Sequence, residues 1–348
     1  MSRAIVFLNI LIFMIRSLTS FRFITAFIVF LFHCRIHFNW TVGSRLVDKF
    51  FLNGATFMTG FFVLSGFIMT HVYSNTDFTK RENIFNFYLK RFAKIYPVYV
   101  FSTIVFFIFL HNYTSKQMAR VFINDLFLVQ GFFPSMFAIG NNGGTWSLTT
   151  EIFFYFLFPF LILLSAKSSK ILIVSIIFAT LTSINIYLDN DYTYANPVIR
   201  LADFMCGIGF YFLKDKFKNI KFSNLLHLAI VILLICACRK LGNDGNQYMC
   251  GQFIIVPLFG AWITMVYHSK SKIYDNKILE YLGLISYSFY LWQFVAMEPA
   301  KKLVKIYPDI NIHYVFLFAF ATNLAISSLS YHLIEERIRK FIVNKFTY

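Results

Sequence analysis

The chain has 348 residues, of which 58% are hydrophobic, 20% aromatic and only 14% charged, and its formal net charge is +16. A water-soluble domain with that much apolar surface would aggregate, so the composition excludes the soluble globular class and points to the bilayer. The basic excess does not indicate nucleic acid, because lysines and arginines stand in short blocks between apolar windows rather than on one stripe or domain.

The N-terminal nineteen residues, opening "MSRAIVFLNILIFMIR", combine a basic start with a short apolar core. No small-x-small cleavage site follows and Arg16 interrupts the run, so an interfacial cytoplasmic helix that stays on the protein is expected over 1–19. Ten windows then have the length needed to cross the hydrocarbon as helices: 20–38, 53–74, 95–112, 146–166, 170–188, 198–213, 222–239, 250–268, 281–300 and 312–334. Residues 121–139 are moderately apolar, but Asn124, Asp125, Gln130 and Pro134 favour a re-entrant or interfacial segment there. The expected fold is an all-α integral membrane protein, a bundle of about ten transmembrane helices with no soluble domain. Roughly two thirds of the 32 lysines and arginines fall on one side when the windows alternate, which puts both termini in the cytoplasm. No internal repeat is visible, so the inverted-repeat signature of many secondary transporters is missing. Cys34, Cys206, Cys236, Cys238 and Cys250 offer neither metal spacing nor a disulfide framework, and read as small hydrophobes in or beside apolar segments.

The first window carries two ionisable groups. Arg22 and His33 stand almost three whole turns apart, so they share a helix face about 16 Å apart along the axis. Arg22 sits at the cytoplasmic mouth and His33 about 20 Å into a core of about 30 Å. A snorkelling arginine and a carbonyl-bonded histidine account for the pair as structure, while ionisable groups in a membrane are functional candidates by default. Five further stretches stand out: "FFVLSGFIMT" (61–70); "FYLKRFAKIYPVY" (87–99), a basic helix ending at a Pro step into the third span; "NNGGTWSLTTEIFFYFLFPF" (141–160); "RLADFMCGIGFY" (200–211); and "ISYSFYLWQF" (285–294). The chain closes with "SYHLIEERIRKF".

In this order the set resembles the membrane-bound acyltransferase family 3, whose members O-acetylate bacterial surface polysaccharides such as O-antigen. The resemblance runs from about residue 19 to 341, and implies a membrane domain over 20–341 with a cytoplasmic tail at 342–348. The family's essential arginine and histidine fall on Arg22 and His33, its basic cluster on Lys90, Arg91 and Lys94, and its Trp-Ser-Leu-x-x-Glu motif on Trp146, Ser147, Leu148 and Glu151. There are departures. "SLTSFR" replaces an Asp-Gly-Leu-Arg-like approach to the arginine, lysines stand at two positions where arginine is commoner, and Gln293 replaces a frequent histidine. The C-terminal esterase-type domain of some relatives is not expected here.

The resemblance implies acetyl-CoA, or another acyl-CoA, as co-substrate, with no permanently bound cofactor and no metal. The donor's phosphates are assigned to Arg22, Lys90, Arg91 and Lys94, since arginine gives planar bidentate contacts and lysine a point charge. The same basic residues also serve as a topology signal. Lys90 and Lys94, at i and i+4, are expected to share a helix face at the cytoplasmic mouth. Glu151 and His33 reach similar depth in the outer half of the bilayer. A carboxylate there suits orienting an imidazole that acts as general base. Glu151 pairing with Arg200 is the structural alternative, and Asp203, at i+3 from Arg200, is the partner that would leave Glu151 free. Tyr155, Ser286 and Tyr290 join Trp146 and Ser147 as supporting candidates, although packing roles suit all of them.

The activity expected is O-acylation, most simply O-acetylation, of a sugar hydroxyl on a cell-surface polysaccharide or its lipid-linked precursor in the bacterial inner membrane. Transfer is either direct or through an acyl group on His33. Partners are the acyl-CoA, the saccharide acceptor and membrane lipid, with no nucleic acid. A polysaccharide-intermediate transporter or flippase explains the spans equally well but gives no reason for the Trp-Ser-Leu-x-x-Glu motif. An acyltransferase acting on a small molecule differs only in its acceptor.

Overall fold

A computed structural model describes residues 3–110, 115–133, 144–165, 168–189, 194–218, 223–241, 251–269 and 271–346. Helices dominate, and no strand occurs among the described residues. The first, α1 (Arg3–Phe38), runs unbroken for 36 residues. The segment expected as a separate interfacial helix therefore continues directly into the first span. At 1.5 Å per residue such a helix is about 54 Å long, well beyond a hydrocarbon core of about 30 Å. Its small polar residues do not break it because they are used: the Ser20 hydroxyl donates to the Tyr274 carbonyl at 2.8 Å, and Thr25 back-bonds to the Arg22 carbonyl at 2.8 Å.

After the short α2 (Arg45–Leu52) and a 3-10 turn at Gly54–Thr56 comes α3 (Phe57–Tyr73). The next helix corrects an expectation. The basic stretch does not end at Pro97 but forms one helix with the third span, α4 (Arg81–Leu110), with the proline inside it. Proline there forfeits one backbone bond, a loss that packing by neighbouring helices tolerates in a membrane bundle. The phenols of Tyr96 and Tyr99 then tie α4 to α5 (Ser115–Leu126), donating to the carbonyls of Leu126 at 3.0 Å and Asp125 at 2.7 Å. The segment expected to be re-entrant or interfacial consists of α5 and a 3-10 turn at Gln130–Phe132. Buried Gln130 closes it by donating to the Thr145 carbonyl at 3.1 Å. Pro134 and the first three residues of the "NNGG" loop lie outside the described residues, as do His111 and Cys250.

Next come α6 (Trp146–Leu164), α7 (Ile171–Asp189), α8 (Pro197–Phe217), α9 (Ser223–Leu241) and α10 (Gln252–His268). The chain ends with α11 (Lys277–Leu284), α12 (Ser286–Ile306), α13 (Ile312–Ser330), a π-helical turn at Tyr331–Glu335 and α14 (Glu336–Phe346). Within the described residues each expected window falls largely on helix, the one at 281–300 across the α11–α12 break at Ile285. By length and composition, five stretches can cross a membrane: Arg16–Phe38, Gly54–Tyr73, Arg81–Ile108, Trp146–Leu164 and Ile312–Phe346. Ile171–Ile184, Leu225–Ala237 and Gln252–His268 are shorter apolar helices. The remaining two windows lie on α8 and α12, which carry charges within their length.

Close packing centres on α3 and α8. A Cβ on Gly207 would lie 2.0 Å from the Val63 carbonyl oxygen, and one on Gly66 would lie 2.1 Å from that of Phe204. Only glycine lets the two backbones approach this far, the small-residue device of membrane helix pairs. Exposed surface is apolar too. On α7, Ile173, Val174, Ile177, Leu181 and Ile184 are all exposed, as contact with lipid requires. The chain is thus an all-α, multi-pass membrane protein.

Candidate active site

Helices α1, α3, α4, α6 and α12 enclose a cavity of about 870 Å³, including its open mouth. Its polar wall carries Arg22, Arg91, Lys94, Glu151, Tyr155 and Ser147, and its apolar wall includes Met58, Phe61 and Ile68. Residues far apart in sequence, most of them singled out by the motifs of the resemblance, therefore meet around one space. Ser65, Ser286 and Tyr290 also line it.

The four charged groups differ in how they are held. Arg91 donates to the Tyr73 hydroxyl at 3.0 Å and sits against the rings of Tyr73 and Tyr155, 5.4 and 5.9 Å from their centroids. Its Nε is buried with no hydrogen-bond partner. Lys94 pairs with Glu335 on the π-helical turn, and the other oxygen of that carboxylate accepts from Ser288 at 2.9 Å. Glu151 accepts from the Tyr155 phenol, with the Ser65 hydroxyl at 3.4 Å. Arg22 is different: among the described residues, no side chain or carbonyl hydrogen-bonds its guanidinium. It has Glu151, Tyr155, Glu335 and Arg91 within electrostatic reach. A cation without a direct partner in a low-dielectric cavity is costly, and such a cost persists where an anion is to be bound.

Lys90 corrects the register expected for the basic cluster. It does not line the cavity, whereas Arg91 and Lys94, at i and i+3, do. Both spacings keep residues on one helix face, and sequence alone did not decide which face turns inward.

His33 is placed elsewhere. It lies outside the cavity lining, its ring 4.6 Å from that of Phe294 and 5.8 Å from that of His37, with Nδ1 buried and unpartnered. The Lys301–Glu298 ion pair lies on the same side. The expected contact of Glu151 with His33 is absent, since Glu151 turns to Tyr155 and Ser65. A residue count along a span gives an expected depth in the bilayer but not the direction a side chain takes around the bundle axis. Phe294 packs on the histidine side of this arrangement. It touches His33, and a Cβ on Gly144 would lie 3.3 Å from it and 3.1 Å from Tyr290, which lines the cavity.

The N-terminal end of α6 is pinned beside Phe294. The hydroxyls of Ser147 and Tyr290 each lie 2.8 Å from the Gly144 carbonyl and 3.0 Å from one another. Trp146 is buried beside it against Phe62 and Tyr194. Ser286 donates to the Gly283 carbonyl at 2.8 Å, closing the turn into α12. Arg200 does not use Glu151. It pairs with Asp203 at 3.0 Å, donates to Thr59 at 2.9 Å and lies over the rings of Phe62 and Tyr194. Two contributors escaped the sequence reading, Tyr73 and Glu335. The signal for the second was an acidic residue at the end of an apolar span, within the quoted "SYHLIEERIRKF".

Comparison with known proteins bears on this arrangement. The family described as Acyltransferase domain (Acyl_transf_3) matches residues 15–332. O-acetyltransferase OatA of Staphylococcus aureus is 25% identical over 313 residues, covering 80% of this chain and 52% of that protein. Peptidoglycan O-acetyltransferase OatA of Listeria monocytogenes is 25% identical over 361 residues, covering 93% of this chain and 56% of that protein. The chain spans about half the length of the curated relatives it matches. No solved structure matches it significantly. With a family match over most of its length, the chain belongs to acyltransferase family 3.

Proposed function

We propose that this protein is an acyl-CoA-dependent O-acyltransferase that moves an acetyl group to a sugar hydroxyl of a cell-surface polysaccharide or its lipid-linked precursor. Arg22 carries the reading: an arginine without a hydrogen-bonding partner, on a cavity wall that also holds Arg91 and Lys94, is provision for a phosphate-bearing ligand. Lys90 adds its charge near the mouth. Both termini lie in the cytoplasm of a bacterial inner-membrane protein, so the cavity opens toward the donor pool. Residues 20–341 form the catalytic membrane domain.

His33 is the general base of the proposed reaction. As the acceptor hydroxyl attacks the thioester carbonyl, its proton passes to the imidazole. The new ester C–O bond forms, the C–S bond breaks, and the CoA thiolate leaves to be reprotonated. The thioester has to travel about 16 Å from Arg22 to reach His33, past Tyr290 and Phe294. Glu151 serves the donor end, where with Tyr155 it sets the local charge around Arg22 and does not orient His33. Ser147, Trp146 and Tyr290 hold the passage in shape. Arg200 and Asp203 hold α8 against α3, and Ser286 the start of α12.

Two measurements test the reading together. CoA at a hundred times its dissociation constant stabilises a binding protein by about 2.7 kcal/mol, so the detergent-solubilised protein should resist heat in its presence. Mass spectrometry of surface glycans, from cells with and without the gene, should show a difference of one acetyl group and name the acceptor, peptidoglycan included. No CoA-dependent stabilisation and no glycan difference would together refute an acyltransferase.

A further inference from the structure

We propose that Glu335 is a positioning residue for the donor end of the cavity: it holds Lys94 on the wall so that the ammonium's remaining hydrogens face the incoming phosphate. The inference rests on the reading of the cavity as an acyl-CoA site. Glu335 is 1% exposed, and its two oxygens are divided between Lys94 and the Ser288 hydroxyl. Lys94 is 32% exposed, lines the cavity, and lies 6.0 Å from the centroid of Tyr287. That ring is itself fixed, by donation from its hydroxyl to the Ile95 carbonyl at 2.8 Å. A free lysine on a spanning helix would snorkel toward water. Held at one hydrogen by Glu335, it keeps two donors for the cavity.

The backbone around Glu335 supports a dedicated placement. The π-helical turn Tyr331–Glu335 separates α13 from α14, and such turns recur at functional sites because the extra residue shifts the helix phase. Two consecutive glutamates are thereby separated: Glu335 is buried against α4 and α12, while Glu336 pairs along its own helix with Lys340 at 2.9 Å. Glu335 also lies three residues past the end of the family match, so that match does not assign it a role.

The test is a double-mutant cycle on the full chain in detergent, with CoA affinity measured by calorimetry. Glu335→Gln should weaken CoA binding roughly tenfold when Lys94 is present, the scale of one misplaced charge-assisted contact. In a Lys94→Met background the same change should alter affinity less than twofold. Glu335→Asp, which keeps the charge on a shorter arm, should be intermediate and dependent on Lys94 in the same way. It replaces Glu335→Gln in the cycle should the amide fail to accumulate. Equal weakening in both backgrounds would make Glu335 a purely structural residue. Tighter CoA binding in Glu335→Gln would make it a mere counter-charge, and unchanged binding would remove it from the site. If the wild-type protein itself does not bind CoA, the donor reading falls, and this inference with it.

Discussion

The buried Arg200 and the half-buried Arg22 on the cavity wall should respond in opposite ways to mutation. Arg200 is 1% exposed and held by Asp203, Thr59 and two rings, so its charge is part of the fold. Asp203→Ala strands that charge, and breaking a buried ion pair from one side costs about 3–5 kcal/mol. Arg22 has no comparable partner. Arg22→Met keeps the side-chain length and removes the charge, so stability should change by less than about 1 kcal/mol, or even rise. Its effect should appear in binding instead. Loss of one charge-assisted phosphate contact, worth about 1.5–3 kcal/mol, weakens CoA binding roughly tenfold to 150-fold. Denaturant unfolding of the solubilised variants reads the first quantity and calorimetry with CoA the second. If Arg22→Met destabilised the protein as much as Asp203→Ala and left CoA affinity unchanged, Arg22 would be a structural group and the donor assignment would be wrong.

His33→Ala should reduce acyl transfer by about 10²- to 10⁴-fold while CoA binding survives, and His37→Ala should stay active in the same glycan assay. The reverse pattern would move the general base to His37. Gly207→Ala should cut the folded yield severely, because its Cβ would meet the Val63 carbonyl oxygen at 2.0 Å and force α3 from α8; normal yield and melting would show that the two helices separate freely. In a cysteine-free background, Phe85→Cys should be unreactive to an impermeant thiol reagent applied outside intact cells, and ready labelling would invert the orientation.

Much of this protein follows from its linear pattern. Apolar windows of about twenty residues give the fold class directly, because the bilayer leaves helices and closed barrels as the only viable spans. Within the described residues the windows fall largely on helices. The helix ends were less legible. Pro97 reads as a boundary and lies inside α4, and "SLTS" reads as a junction and lies inside α1, because side-chain and packing partners offset the local cost. The residues around the cavity were found through their types and motif order, and eight of the thirteen named candidates do line it.

What linear pattern could not decide was direction around the bundle axis. A span length and a residue count give only an expected depth for Glu151 and His33, and which neighbour each faces depends on how every helix is rotated in the packed bundle. Tertiary packing brought Ser65 of α3 to Glu151, turned Arg91 rather than Lys90 into the cavity, and set Phe294 beside His33. It also brought Glu335 to Lys94 from 241 positions away in the chain. Composition and periodicity act along one helix at a time and determine that it spans. Partners between helices are chosen only when side chains from several helices compete for the same interior space, and that competition exists only in the assembled fold.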